Sequence, residues 1–329
     1  MAWIGQRLRI GARTCLPRSL DGLLVPRAQR LAWVLFGWLA QTALASGQLF
    51  RVATFNVENY IDDPASLRPV KSLESRAQVC ASIVAIKPDV LALEEMGSTN
   101  ALLELQGALK RAGLDLPFWE HVQGHDTDVH LALLSRYSIV ARHPHTNESF
   151  LLNGRRFHVS RGFAELEIGI NSHYKFTLIA AHLKSRVPSP SADEEEWRLQ
   201  EALALRHIID ARLSGDPGQN LVVLGDFNDV KDSRSVKTIL GRGRAGLFDT
   251  RPAERNPDRQ ARGGPIQERP VTWTEYYARE DVYSRIDYIL ISHAMEREWL
   301  SQETYVLSLP NWGLASDHRP LVAGFRAGN

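Results

Sequence analysis

From residue 46 onward, short apolar runs bounded by turn residues alternate with segments of helical spacing. Leu49-Phe-Arg-Val-Ala-Thr-Phe55 reads as the strand that begins the fold. Residues 74–87 place Val79, Ile83 and Ile86 at helical intervals, and Lys87-Pro88 ends that helix. Val90-Leu-Ala-Leu93 is a short strand running into Glu94-Glu95. Ala101 to Ala112 predicts a second helix, stopped at Gly113. Residues 131–134, 162–170 and 176–181 predict strands. The longest helix is expected over 194–213, with Leu205, Ile208 and Ile209 on its apolar side. Leu221-Val-Val-Leu224 is a buried type of strand, followed at once by Gly225, and 286–291 and 321–325 are the late strands.

Helices between some strands and direct connections between others predict a mixed, layered α/β protein. Close neighbours such as 162–170 and 176–181 argue against a purely parallel, doubly wound sheet. There is no internal repeat. Residues 251–270 are rich in Arg, Pro and Gly, lack apolar periodicity and read as a long surface loop, as does 187–192. Neither reads as a domain linker, because polar motifs occur on both sides of each.

Residues 1–45 follow a different rule. They hold six arginines, no lysine and one acid, Asp21, then the apolar run Leu31 to Ala40 and Ala43-Leu44-Ala45 before Ser46. This is a secretory signal pattern with cleavage expected after Ala45. The run is shorter than the roughly 20 residues of a membrane-spanning helix, so no stable span is expected after cleavage. A buried helix and an uncleaved anchor are the alternatives. The long basic stretch points to a true start nearer Val25. The expected division is an export segment, 1–45, and a single domain, 46–329.

Charge changes the picture of possible partners. The chain has 39 Lys+Arg and 38 Asp+Glu, a net charge of +1. The export segment holds +5 of this and the domain −4. Near-neutrality therefore does not exclude a polyanionic substrate; it predicts binding that depends on a metal and a few local cations. Of the two cysteines, Cys15 leaves with the segment. Cys80, in a helical pattern with Val79 and Ile83, is expected to be a buried, inert thiol.

Polar residues gather where the strands end. The sets are Thr54-Phe-Asn56-Val-Glu58, Glu94-Glu95, His182-Leu-Lys184, Gly225-Asp226-Phe-Asn228-Asp229, Arg285-Ile-Asp287-Tyr288 and Ser316-Asp317-His318. In layered α/β proteins functional side chains collect at such ends. Converging carboxylates repel one another and raise each other's pKa unless a cation compensates. Oxygen donors of this kind suit Mg²⁺, Ca²⁺ or Mn²⁺ rather than zinc.

In this order the motifs resemble the endonuclease/exonuclease/phosphatase superfamily, which includes pancreatic-type deoxyribonuclease, apurinic endonucleases, bacterial sphingomyelinases and inositol-polyphosphate phosphatases. The resemblance covers nearly all of residues 49–326. It is specific for the family and not for a substrate. It implies a four-layer α/β sandwich, two packed mixed β-sheets flanked by helices, and a catalytic Mg²⁺, with Mn²⁺ or Ca²⁺ as alternatives. By position it implies Glu95 as the principal metal ligand with Asn56 beside it. Glu58 falls where some members place an Asp that assists the metal, and Asp317 is a further carboxylate nearby. Asp226 and Asn228 would orient the attacking water and the phosphate. Asp287 would hydrogen-bond His318, and His182 would contact the phosphate from the other side. Arg161 matches a position where the family often has Arg. Lys184 and Arg186 are candidates to face phosphate or simply solvated charges. Whether His318 acts as base or phosphate ligand stays open.

The expected function is that of an exported (secreted or periplasmic) monomeric phosphoester hydrolase dependent on a divalent metal, cutting nucleic-acid phosphodiester bonds. The alternative substrates are lipid headgroups, as in a sphingomyelinase, or small phosphates. No apolar hairpin of the kind a membrane-active lipase needs is evident. A dead binding module is disfavoured, because every matched position holds a competent residue. Elsewhere, His125, Asp126, Asp128 and His130 are expected to form a polar loop in preference to a second cation site. His143 and His145 read as loop residues, and Glu194-Glu-Glu196 as partners of a helix dipole. Trp273, Tyr276 and Tyr277 read either as stacking residues or as core.

Overall fold

The structure, a computed structural model, describes residues 47–255 and 272–328. The strands in chain order are β1 (Leu49–Tyr60), β2 (Val90–Met96), β3 (Phe118–Val122), β4 (His130–Ser135), β5 (Ser138–Arg142), β6 (Ser149–Leu152), β7 (Arg155–His158), β8 (Phe163–Gly169), β9 (Lys175–His182), β10 (Leu221–Asp226), β11 (Leu247–Asp249), β12 (Ala253–Arg255), β13 (Glu275–Tyr277), β14 (Val282–Ser284), β15 (Asp287–Ser292), β16 (Trp299–Leu307) and β17 (Leu321–Arg326). The helices are α1 (Leu73–Ile86), α2 (Thr99–Arg111), α3 (Glu194–Gly215) and α4 (Arg234–Leu240).

Two large sheets form, ordered β12-β16-β17-β1-β2-β4-β3 and β11-β15-β10-β9-β8-β5. Both are mixed: β1 runs parallel to β2 and antiparallel to β17, and β10 parallel to β9 and antiparallel to β15. Alternation along each strand sorts its side chains into two faces. Val52, Ala92, Leu178, Leu224, Ile289 and Ala323 fill the space between the sheets. Ala53, Phe55, Leu91 and Leu93 face Ile83 of α1 and Leu105 of α2. Ile179, Val223 and Leu290 face Leu205 and Ile209 of α3 and Ile239 of α4. The layers therefore run helix, sheet, sheet, helix, as the resemblance implied. Burying one such aliphatic side chain stabilises by roughly 1.5–3 kcal/mol, so these three clusters dominate the stability.

Local chemistry sets the helix ends. Ser72, Ser98, Asp193 and Ser233 each accept a first-turn N–H at the N-termini. Lys87 ends α1 in the left-handed region (φ 47°), with Pro88 forbidding continuation. Glu194–Glu196 sit in the first turn of α3, as the dipole favours.

Several expectations need correction. The edge strands β3 and β5, and β16 beside the short edge strand β12, escape the periodicity because one face is wet and the alternation is broken; Trp119 of β3, for example, is exposed. The hairpin β6–β7 turns at Asn153-Gly154, both at positive φ, which is a hairpin signature the apolar runs do not display. The segment read as a loop from 251 opens with β12, paired parallel to β16. A hairpin, β13–β14, does exist near the late strands, but its turn carries Arg279, Glu280 and Asp281, charges unsuited to entering a bilayer. Cys80 is half-buried rather than buried. Among the described residues no helix is long and apolar enough to cross a membrane. The export segment, its cleavage point and Cys15 lie outside the described residues, as do residues 256–271.

Candidate active site

The alternation that packs the core also aims the polar residues. On β1, Thr54 and Asn56 continue the Val52 face, and on β2 Glu94 continues the Ala92 face. Opposite them, His182 follows Ala180, Asp226 follows Leu224 and Asp287 precedes Ile289. At one end of the sandwich the layer between the sheets thus turns polar. Asn56 Nδ2 donates to Asp226 Oδ2 at 3.0 Å across that layer. Ser316 Oγ donates to the Asn56 carbonyl at 2.7 Å and accepts the His318 N–H at 3.0 Å, drawing Asp317 and His318 to the same end.

Glu95 is the exception to parity. Strand alternation would send it with Leu93 towards the helices. Instead it lies at φ 61°, where the β2–β4 register shifts between Leu93 and Met96. Such a bulge re-aims a side chain, and here it turns the carboxylate into the cleft. Glu58 and Asn59 of β1 are left-handed as well, at φ 44° and 52°. Each such residue costs about 1–3 kcal/mol. Local bonds offset it: Asn56 Oδ1 accepts the Glu58 N–H (3.0 Å), and Glu95 Oε2 accepts the Asn59 N–H (2.9 Å). Gly225, just before Asp226, has φ 131°, and a Cβ there would lie 2.0 Å from the Ala181 carbonyl oxygen. Only glycine lets β10 pass β9 at that point.

The result is a cleft of about 310 Å³ lined by Asn56, Glu95, His182, Asp226, Asn228, Asp317 and His318, with Glu275, Arg186 and Tyr277 at its side. His318 Nδ1 lies 2.9 Å from Asp287 Oδ2. Its Nε2 lies 3.7 Å from Asp226 Oδ2 and 3.9 Å from Asp317 Oδ1. His182 Nε2 lies 3.5 Å from the same Asp226 oxygen. Burial alone would lower the His318 pKa, but the charges of Asp287 and Asp226 carry it well above the ordinary imidazole value. Burial, then the positive charge of Arg161, holds His182 well below that value. The two imidazoles are thus pushed in opposite directions, with Asp226 between them. Burial pushes Asp226 upward; His318 opposes that shift.

The mouth of the site is rich in carboxylate. Burial and then Asp317 raise Glu58. Burial raises Asp317, His318 opposes it, and Glu95 raises it further. The flanking cations stand back, Lys71 at 3.8 Å from Glu58 and Arg68 at 3.9 Å from Glu95. This surplus of hard oxygen donors is of the kind that suits a divalent cation, but Glu95, Asp317 and Glu58 do not bring three ligand atoms within 4.8 Å of one another. Among the described residues the set that does so is the buried Asp226, Asp287 and His318. Its atoms are largely committed to mutual and amide hydrogen bonds, although Asp287 Oδ1 has no hydrogen-bond partner.

Four of the residues singled out from the sequence do not line the cleft. Asp287 stands behind His318. Glu58 lies beside Lys71. Arg161 is buried, 3.4 Å from Asp126. The Lys184 ammonium lies 5.9 Å from the centre of the Trp197 ring. Asp126 accepts the N–H groups of Asp128 and Val129, and the loop it caps brings no set of three ligand atoms together among the described residues. Trp273 packs between Arg319 and the edges of Tyr283 and Trp312.

Sequence reasoning missed two carboxylates. Glu275 lines the cleft and pairs with Arg186 at 2.5 Å; nothing in its surroundings marks it. Glu201 is fully buried on α3, at a position whose helical spacing gives a signal for an inward acid. It accepts the backbone N–H groups of Ser160 (2.9 Å) and Lys184 (2.6 Å). It thereby ties together the turns that hold Arg161 and His182.

Glu94 is a third case, quoted with its neighbour but given no role. It is fully buried, accepts from Thr54 Oγ1 at 2.7 Å through Oε1, and has no partner for Oε2. Burial pushes its pKa up to about 8. The unfolded chain ionises this group near 4.5 and the folded chain near 8. The folded state thus holds more protons in that window, and stability falls as pH rises through it. Glu94→Gln removes this penalty. Its thermal midpoint should match wild type at pH 5 and exceed it at pH 8.5, where its unfolding free energy should be higher by on the order of 2–4 kcal/mol. Equal midpoints at both pH values would refute a protonated Glu94.

The family model for the endonuclease/exonuclease/phosphatase family matches residues 53–318. No curated protein sequence matches the chain. Among solved structures, the human Nocturnin catalytic domain with bound sulfate is 19% identical with a TM-score of 0.57, over 85% of this chain and 95% of that one. An endonuclease/exonuclease/phosphatase from Bacteroides vulgatus is 18% identical with a TM-score of 0.59, over 85% and 100%. Truncated Caenorhabditis elegans TDP2 is 16% identical with a TM-score of 0.55, over 85% and 98%. These likenesses carry the fold; the family match, with the two mixed sheets and the polar cleft between them, places this chain in the endonuclease/exonuclease/phosphatase family of phosphoester hydrolases.

Proposed function

We propose that the chain is a Mg²⁺-dependent phosphodiesterase that cleaves nucleic acid, acting as an exported monomer once residues 1–45 are removed. One observation carries the chemistry: His318, backed by Asp287, and His182 flank Asp226 at the floor of a cleft whose rim holds Glu95 and Asp317.

A phosphoryl group entering this cleft meets the His318 Nε2–H, which donates to a phosphoryl oxygen. Asp287 keeps the other ring nitrogen protonated and fixes the plane of the ring. Neutral His182 contacts the phosphate from the far side. Asp226 Oδ2 accepts a hydrogen bond from the attacking water. Asn228 holds Asp226 in place, donating its backbone N–H to Oδ1 at 2.8 Å, while its side-chain amide is anchored on the Leu183 carbonyl at 3.0 Å. Glu95, Asp317 and Glu58, beside Asn56, would hold the Mg²⁺, which when bound would supply positive charge against the negative charge developing on the phosphate.

The test is a screen of the mature protein with Mg²⁺ against plasmid, single-stranded DNA, RNA, sphingomyelin and bis(4-nitrophenyl) phosphate. Cleavage of the small diester and of nucleic acid is expected. Cleavage of sphingomyelin without nucleic acid would reject the substrate reading.

A further inference from the structure

Beside the catalytic cleft lies a second hollow, of about 470 Å³, that the mechanism does not use. Lys231, Arg251 and Arg285 line it with Trp273 and Tyr283. The chain itself joins it to the cleft. Asn228 lines the cleft and Val230 and Lys231 line the hollow, so a few residues of one loop span both. The β13–β14 hairpin forms the wall between them. Tyr277 serves the cleft and Tyr283 the hollow. Tyr276 stacks on Tyr283 at 4.5 Å and fixes the ring, which is still 54% exposed.

The cations differ in availability. Arg285 is gripped by both oxygens of Asp249, at 3.0 and 2.5 Å. Lys231 pairs with the exposed Asp232 at 2.8 Å, its one ion pair among the described residues. Arg251 is exposed and makes no ion pair among the described residues. An adjoining hollow shares Lys231 and Arg251 and adds Lys237. Arg242 and Arg244 are exposed nearby in the chain. Residues 231–251 hold six cations and two acids in a domain that is negative overall. A fixed, open aromatic ring next to Arg251 and to a Lys231 paired with an exposed acid suits a ligand that is both planar and anionic.

We propose that this hollow is a nucleotide subsite for the strand whose scissile phosphate occupies the cleft. A base stacks on Tyr283 against the edge of Trp273. Its phosphate meets Lys231 and Arg251, and the backbone continues towards Lys237. The proposal rests on the nucleic-acid reading and adds where a neighbouring nucleotide sits.

The experiment compares kcat/KM for a single-stranded DNA octamer with that for bis(4-nitrophenyl) phosphate, using the mature protein with Mg²⁺. Tyr283→Ala should lower the octamer-to-diester ratio about tenfold, the scale of one lost base stack. The double variant Lys231→Ala/Arg251→Ala should also flatten the dependence of log affinity for the octamer on log salt by about 1.4, two phosphate contacts on a single strand. An unchanged ratio and slope, with the octamer still cleaved, would overturn the subsite and leave the nuclease reading standing. An equal fall on both substrates would mark these residues as structural and overturn it too. A wild-type protein that cleaves the diester and no nucleic acid would overturn the function proposed above and, with it, the subsite.

Discussion

His318→Ala is expected to lower kcat on bis(4-nitrophenyl) phosphate by about 10²–10⁴-fold, the usual scale for a positioned proton-transfer group. The fold should survive, since the ring sits at the polar end of the sandwich and not among its apolar clusters. A stability cost is nevertheless expected, because Asp226 and Asp287 would face each other in a buried site without their shared cation. One of them should then bind a proton, in place of the one that His318 carried. The wild-type pH profile follows from the same charges. His318 gains its proton affinity from Asp287 and Asp226 after burial has lowered it. Its stabilising contribution is complete below the unfolded imidazole value, about 6.5, and is lost as pH rises through the higher folded value. Activity that needs the imidazolium should fall over that same alkaline range. Asp287→Asn keeps the ring and removes the nearest charge, so its alkaline limb should move to lower pH. A His318→Ala enzyme with near-wild-type kcat, or an Asp287→Asn limb that stays in place, would overturn this role.

Loss of the metal should be as severe. A chelator is expected to abolish turnover and added Mg²⁺ to restore it. Glu95→Ala should lower kcat by about 10²–10³-fold, as does removal of one preorganised charge-stabilising group elsewhere. Glu95→Gln separates two jobs of the side chain. It keeps an oxygen for the Asn59 N–H and so supports the bulge, but it removes the charge. Its half-saturating Mg²⁺ should rise while the metal-free thermal midpoint holds or increases, because Glu58 and Asp317 lose a repelling neighbour. Full activity of either variant at wild-type Mg²⁺ would reject Glu95 as a ligand.

The core strands and the site motifs were legible because each buried strand carries an apolar run ending in an acid, amide or histidine. Asp226 after Leu221–Leu224 is the clearest case. What stayed hidden has physical causes. Parity alone would have turned Glu95 away from the cleft; a left-handed backbone reverses this, and no local apolar pattern encodes it. Glu201 works through backbone N–H groups more than fifteen residues distant, which spacing within a helix does not reveal. Arg161 was found by position, but its burial against Asp126 depends on a loop from elsewhere in the chain. The edge strands were lost because half-wet strands lack a clean alternation.

The pairing of β1 with β17 also fixes when the enzyme can first work. The first strand lies against the last, and Asn56 is clamped by Ser316 just before that last strand begins. A ribosome therefore releases every other part of the site before Asp317 and His318 emerge. A partly made chain has Glu95 but neither the His318 imidazole nor its neighbouring carboxylate. On the function proposed, catalysis is thus deferred until β17 has been made, which would keep a growing hydrolase from attacking the phosphodiesters of the cell that makes it.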